Sequence, residues 1–288
     1  MIFGIISIPD VRRTLCGTSV GRGFCFHGRR LLSAQSTSID HLLQKLRTVD
    51  TSALCDADKT IRSHLQHDNY GIRVMDCRMM RPMNHYGSRL TKDDRGDIQF
   101  IMAGIARTVQ FTEPNDFLPV LRGLQEASAD EVLVVNTLNS TRAVAGEIFF
   151  AQAQQKGLVG IVIDGPIRDT RYLSKYPPVR MYASSFTPYA GTTQSVGKMQ
   201  RTVECGGVTV RPGEVLVGDE DGVLVGSAAV FEEILPLAQQ IQETERKLLD
   251  GITAAGGSSK TIADMSNSDE HILERQKGSP SKLQFRVS

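Results

Sequence analysis

The chain has 288 residues, of which 40% are hydrophobic and 23% charged, and its 33 Lys and Arg against 32 Asp and Glu leave a net charge of +1. That length can bury a substantial core in one large domain or two small ones. The near-neutral balance argues against a nucleic-acid binder or a membrane-surface protein, and no stretch reaches the roughly 20 apolar residues a membrane span needs.

The chain opens with an unusual segment. Residues 11–39 carry Arg12, Arg13, Arg22, Arg29 and Arg30 and no acid. Arg-rich, Ser-rich and acid-poor composition is that of a mitochondrial transit peptide. The same composition also suits a disordered N-terminal extension or a misassigned start codon, so residues 1–37 are set aside from the fold. The cysteines, Cys16, Cys25, Cys55, Cys77 and Cys205, are scattered, odd in number and without a C-x-x-C pair. They read as reduced thiols, not as a disulfide framework or a zinc site.

The ordered part begins at Ser38, a candidate cap for a helix with Ile39, Leu42, Leu43 and Leu46 on one face. A second short helix starts in "DTSALCDA" (50–57). Residues 78–97 are polar and irregular and read as a loop insertion. "QFIMAGIARTVQF" (99–111) reads as two strands joined at Gly104. "EVLVV" (131–135) is a buried strand, 144–156 a helix stopped by Gly157, and "LVGIVID" (158–164) a second buried strand. Strand, helix and strand at this spacing predict a right-handed βαβ unit with parallel strands. "DTRYLSK" gives a short helix and 179–183 a strand. From Thr202 to Val225 short strands alternate with Gly206-Gly207, Pro212-Gly213 and Asp221-Gly222 turns. A helix follows from about Ser227 to Asp250, ended by Gly251, with Pro236 expected to kink it or mark its first turn. Residues 254–288 are polar and read as a disordered tail, which leaves 38–253 as the domain.

In an α/β layer, ligands bind beyond the carboxyl ends of parallel strands. Two loops leave such ends, "NTLNSTRAVAGE" (136–147) and "GPIRD" (165–169). Gly146 allows close backbone approach, and the amides of Glu147, Ile148 and Phe149 at a helix N-terminus favour an anion such as a carboxylate. Arg168 can reach an adjacent oxygen with its planar fork. Asp169 can then hold a hard divalent cation, Mg²⁺ or Mn²⁺. Together these groups would stabilise the enolate of a 2-oxo acid. The competing reading of Arg168 and Asp169 is a surface salt bridge or a helix cap. His64 and His67 have the spacing of a metal pair but no third ligand nearby, and read as solvated. Lys198, Arg201 and Arg211 lack the interleaved aromatics of an RNA surface.

Residues 146–173 (GEIFFAQAQQKGLVGIVIDGPIRDTRYL), together with "DTSALCDA", "FIMAGIARTVQF" and "ECGGVTVRPGEVLVGDEDGVLV" (204–225) in order, resemble the RraA-like family over about residues 48–226. That family contains class II 4-hydroxy-4-methyl-2-oxoglutarate/4-carboxy-4-hydroxy-2-oxoadipate aldolases and the regulator of ribonuclease E activity A. The resemblance implies a three-layer α/β fold, the swivelling β/β/α domain, assembled as a homotrimer or homohexamer. It implies Arg168 on the pyruvyl oxygens, Asp169 on the metal, the Gly146–Phe149 amides on the carboxylate and Glu147 as the acid after the glycine, with an acid from a neighbouring subunit completing the site. The expected activity is aldol cleavage of a 4-hydroxy-2-oxo acid or decarboxylation of oxaloacetate. The alternative is a non-catalytic inhibitor of a ribonuclease or RNA helicase. The chain departs from the pattern at Asn136 and Asn139, where the family's D-G-x-G opening would fall.

Overall fold

The computed structural model of the chain describes residues 38–62, 71–76, 78–83, 101–176, 178–254, 259–281 and 283–284. The arginine-rich extension, His64, His67, most of the 78–97 insertion, and Cys16, Cys25 and Cys77 lie outside the described residues.

Runs of β-branched residues set the sheet. Strands β3 (Met102–Gln110), β4 (Glu131–Asn136), β5 (Gly160–Ile167) and β6 (Arg180–Phe186) lie side by side and parallel. The centres of β4 and β5 are buried on both faces, which is why they read as continuous apolar runs and not as alternating ones. The remaining strands are β1 (Arg73–Val74), β2 (Arg81–Pro82), β7 (Lys198–Met199), β8 (Val203–Cys205), β9 (Val208–Val210), β10 (Val215–Gly218) and β11 (Val223–Gly226). The main sheet has nine strands in the order β1-β11-β10-β3-β4-β5-β6-β2, with β7 also on β3, while β8 and β9 form a separate hairpin.

Side-chain parity sorts three layers. Leu133, Val135, Ile161 and Ile163 face α3 (Leu118–Glu126) and α4 (Glu147–Gln155) in one core cluster. A second cluster joins Ala103, Val215 and Val217 to three further helices: α1 (38–46), α2 (Thr51–Ile61) and α5 (Ala228–Thr253). The opposite parity, Val132, Val134, Val162 and Met102, packs under the β8–β9 hairpin through Val203, Cys205 and Val210. Hairpin, sheet and helices therefore stack as the expected β/β/α sandwich.

The expected α4 crossover between parallel β4 and β5 is present, and Gly157 closes the helix with a φ of 75°. Several expectations need correction. Residues 102–110 are one strand, not two; Gly104 is no turn but a close approach, where a Cβ would sit 2.6 Å from the Asp130 carbonyl oxygen. The 78–97 segment is not all loop, because β2 pairs with β6 on the sheet edge. Helix α5 runs past Gly251 to Thr253, and Pro236 lies inside it and not in its first turn. The tail is not structureless either. A helix, α6 (Ser268–Gln276), forms within it, and Met265 is buried with its Sδ beside Gly251. Burying one long apolar side chain contributes about 1.5–3 kcal/mol, enough to bias a polar segment toward order.

Candidate functional site at the ends of the parallel strands

The strand that carries Arg168 and Asp169 is longer than expected. Strand β5 continues through Gly165 and Pro166 to Ile167 after a register irregularity against β6 between Ile163 and Pro166. Gly165 is needed there, since a Cβ would lie 2.5 Å from the Thr137 hydroxyl oxygen. The last residues of β5 then bind the segment before α4. Val144 N–H donates to the Pro166 carbonyl and Arg168 N–H to the Ala145 carbonyl, both at 3.0 Å. This pairing delays the start of α4 to Glu147, three residues later than periodicity suggests, and brings the two predicted loops together.

Gly146 is the N-cap of α4, in an extended conformation that any residue can adopt. Space, not φ, requires glycine: a Cβ would sit 2.4 Å from Asp169 Oδ2 and 3.0 Å from Arg168 Cγ. Asp169 turns back toward the helix by taking a left-handed conformation, φ 60° and ψ 28°. Its Oδ2 accepts the Glu147 N–H at 3.2 Å and lies 3.4 Å from Arg168 Nε. A free helix N-terminus attracts the nearest anion, and here that anion belongs to the chain itself.

The amide cradle is therefore narrower than the sequence suggests. The Glu147 amide is engaged by Asp169, and Phe149 N–H donates to the Gly146 carbonyl at 2.9 Å. Only the Ile148 amide of the three has no acceptor among the described residues. The ring of Phe149 faces inward, edge-on to Phe117 with centroids 6.0 Å apart.

Arg168 and Asp169 are half-exposed and line an open pocket of about 270 Å³ with Thr170, Phe186, Thr187 and Pro188. Glu147 does not line it. Its carboxylate accepts from the Tyr176 hydroxyl at 2.8 Å, with Lys175 Nζ at 4.0 Å. A larger groove, about 800 Å³, lies along α2 and α5 and contains none of these residues. Chemistry places the candidate site at the smaller pocket, because the charged pair lines it and Asp169 there meets the first amide of α4.

Sequence reasoning passed over the residues that hold this floor in place. The buried Asp116 carboxylate accepts the Leu118, Gln194 and Ser195 N–H groups. The Asn115 side-chain oxygen accepts the Thr141 and Arg142 N–H groups. Together they tie the 136–147 and 188–198 segments to the start of α3. The Asn-Asp pair before "FLP" was a usable signal, since both residues cap turns with their own side chains. Farther down β5, burial pushes the Asp164 carboxyl up, partly offset by the Gly206 N–H at 3.2 Å. Burial likewise raises the Cys205 thiol, and that of Cys55 to about 11. Neither is a reactive thiolate.

The architecture is a parallel-strand α/β layer backed by a β-hairpin, with an arginine-aspartate pair beside a helix N-terminus. A family model described as RraA-like: Aldolase/RraA matches residues 51–225, and the chain belongs to that family. A Thermus thermophilus protein named 4-hydroxy-4-methyl-2-oxoglutarate aldolase is 35% identical over 124 residues, 43% of this chain and 74% of that one. A Paraburkholderia phytofirmans protein given the same name provisionally is 32% identical over 181 residues, 62% of this chain and 97% of that one. Among solved structures, Streptomyces coelicolor RraAS2, described as an unusual member of the RNase ES inhibitor RraA family, matches with a TM-score of 0.54 at 24% identity, covering 72% of this chain and 94% of that one. That last likeness is one of fold.

Proposed function

We propose that the protein is a divalent-metal-dependent lyase acting on a 2-oxo acid, cleaving the C–C bond of a 4-hydroxy-2-oxo acid or decarboxylating oxaloacetate. The observation that carries this reading is the Arg168–Asp169 pair on one small open pocket, with the Asp169 carboxylate also held by the Glu147 N–H at the start of α4, in a family that includes proteins named for this aldolase activity.

The donor set suits a hard cation. Mg²⁺ typically keeps several waters and takes one or two carboxylates plus substrate oxygens, and among the described residues Asp169 is the single carboxylate lining the pocket. No group of three or more potential ligands occurs among the described residues, so a closed protein cage such as a structural zinc site does not fit. Asp169 would hold the ion, which when bound supplies Lewis-acid stabilisation of the enolate oxygen.

The chain's own residues divide the remaining tasks. The Arg168 fork binds the 2-oxo group and an adjacent carboxylate oxygen and stays charged throughout. The Ile148 N–H, and that of Glu147 when Asp169 turns away, bind the carboxylate. In aldol cleavage the 4-hydroxyl proton leaves to a base, the C3–C4 bond breaks, and its electron pair forms the enolate that Arg168 stabilises. Protonation at C3 then gives pyruvate. Because Asp169 lines the pocket alone among the described carboxylates, we assign the base to a neighbouring copy. Ile148, Phe186 and Tyr189 are 76%, 72% and 76% exposed, apolar surface that a neighbouring copy can bury. A trimer, or a pair of trimers, would cover it.

The test is pyruvate release from a panel of 4-hydroxy-2-oxo acids and oxaloacetate with Mg²⁺ or Mn²⁺, corrected for the metal's own background. Turnover that vanishes on chelation and returns with metal is expected. No metal-dependent turnover of any 2-oxo acid would overturn the reading in favour of a protein-binding role.

A further inference from the structure

The Tyr176–Glu147 contact lies outside the pocket, yet it holds one of the pocket's walls. Asp169 starts a 3₁₀ turn (Thr170–Lys175), and Tyr176 follows it. Both ends of this stretch rest on the same residue of α4. At the near end the Asp169 carboxylate accepts the Glu147 N–H; at the far end the Tyr176 hydroxyl donates to the Glu147 carboxylate. The Tyr176 ring packs against the α3–α4 core, so the hydroxyl arrives on a rigid arm. Lys175 stands over the Tyr172 ring at 4.3 Å and 4.0 Å from Glu147 Oε1, adding charge of the right sign.

We infer that Tyr176 is a positioning residue for the site, acting through Glu147 to fix the first turn of α4. This rests on the lyase reading, in which the α4 amides receive the substrate carboxylate. The helix N-terminus binds well only if its N–H groups are held in direction before the ligand arrives. Glu147 is the first helical residue, where intrahelical hydrogen bonds give least restraint. A charge-assisted O–H···O⁻ bond from a packed aromatic supplies that restraint. The Glu147 carboxylate correspondingly pushes the Tyr176 hydroxyl's ionisation upward, so the hydroxyl remains a donor through the physiological range. The assigned role of the Glu147 side chain changes with it: the carboxylate is a hinge pin between α4 and the Asp169 turn, and only the backbone N–H of Glu147 is left to meet the substrate.

The test uses Tyr176→Phe, which keeps the ring and removes the donor, with Glu147→Ala, Glu147→Gln and the Tyr176→Phe/Glu147→Ala double variant. Two readouts are taken: KM and kcat for the best 2-oxo acid, and backbone hydrogen exchange over 147–150. In Tyr176→Phe, KM should rise roughly tenfold, the size expected for a lost hydrogen bond to a charged group. The kcat should stay within about twofold, because the carboxylate is bound equally in ground and transition states. Exchange over 147–150 should accelerate while the melting temperature holds. Glu147→Ala should match it, the double variant should be no worse than either single, and Glu147→Gln, which keeps an acceptor, should recover most of the loss. Wild-type KM and exchange in Tyr176→Phe, or additive losses in the double variant, would overturn the inference while leaving the lyase reading intact. If the wild type shows no turnover, the lyase reading fails alone, and accelerated exchange in Tyr176→Phe still decides the clamp.

Discussion

Arg168 directly follows strand β5, and β6 begins with Arg180 paired in register to Gly160 at the foot of β5. The two arginines sit at opposite ends of the same pair of strands and have opposite surroundings. Arg180 is 1% exposed, with Nη2 2.7 Å from Glu220. It lies beside Tyr182, whose hydroxyl donates to the Asp219 carbonyl. Arg168 is 43% exposed, and its acidic neighbour Asp169 is 3.4 Å away. The buried arginine, Arg180, ties the β10–β11 turn to the sheet through Glu220. A half-exposed one beside a helix N-terminus keeps donor capacity in reserve. On the proposed function the foot of the sheet serves stability and the top serves binding, and the substitutions below separate the two.

The largest effect is expected at the foot. Arg180→Ala removes a long, fully packed side chain and should cost about 3 kcal/mol, in the range of large-to-small core changes. For a domain of this size that lowers the melting temperature by roughly 6–12 °C. The molecules that remain folded should turn over substrate at the wild-type rate. A variant that melts normally but is inactive would reverse the assignment of the two ends.

Arg168→Ala should do the opposite. The melting temperature should hold within about 1 °C, because half-exposed residues at a strand end carry little of the core. The rate should fall about a hundredfold or more, by analogy with loss of one oxyanion-stabilising donor. Asp169→Asn should raise the Mg²⁺ needed for half-maximal activity, read by metal titration. Unchanged rates in both variants would remove the top of the sheet from the chemistry.

Gly146→Ala sharpens the contrast further. Its backbone is extended and tolerates alanine, but the new methyl would press on Asp169 Oδ2 and Arg168 Cγ. Both are side-chain atoms that can move aside, so folding should lose little. The charged pair would be displaced by something near 1 Å, and misplacement of that size costs roughly tenfold to a hundredfold in rate. Melts and kinetics on the same sample check both halves.

The same division explains what could be read from the sequence. The parallel strands were legible because burial on both faces leaves an uninterrupted β-branched run, as in 131–135 and 158–164. Arg168 and Asp169 were legible because charges directly after such a run must emerge at the strand's carboxyl end. Gly104 misled because glycine marks both turns and close packing, and only the neighbours, Val159 and the Asp130 carbonyl, tell them apart. The two-residue strands β1, β2 and β7 are too short to carry a period. Helix α6 buries none of its own residues, so it shows no apolar face to detect. The orientation of Glu147 was out of reach, because it depends on Tyr176, 29 residues on, whose approach is fixed by a 3₁₀ turn with no pattern of its own.

The smallest effect is expected between the two ends, at Asp164 in the middle of β5. Its side chain shares a row with Asn136, its register partner on β4, and faces the hairpin turn at Gly206 and the buried Cys205. Burial raises its ionisation above the ordinary carboxylate value, and the Gly206 N–H only partly offsets this. The folded state therefore holds this proton more tightly than the unfolded chain does. Stability then falls as pH rises from the ordinary carboxylate range through the raised folded value, and stays lower above it. Asp164→Asn keeps an acceptor for Gly206 and removes the charge. It should melt slightly higher than wild type at pH 8, with the gap closing as the pH drops toward 4. Thermal melts of both proteins across that range give the sign directly. A variant less stable at pH 8 than at pH 4, relative to wild type, would mean that the ionised carboxylate is the favoured form. Asp164 would then belong with Arg168 and Asp169 among the charges the top of the sheet is built to hold.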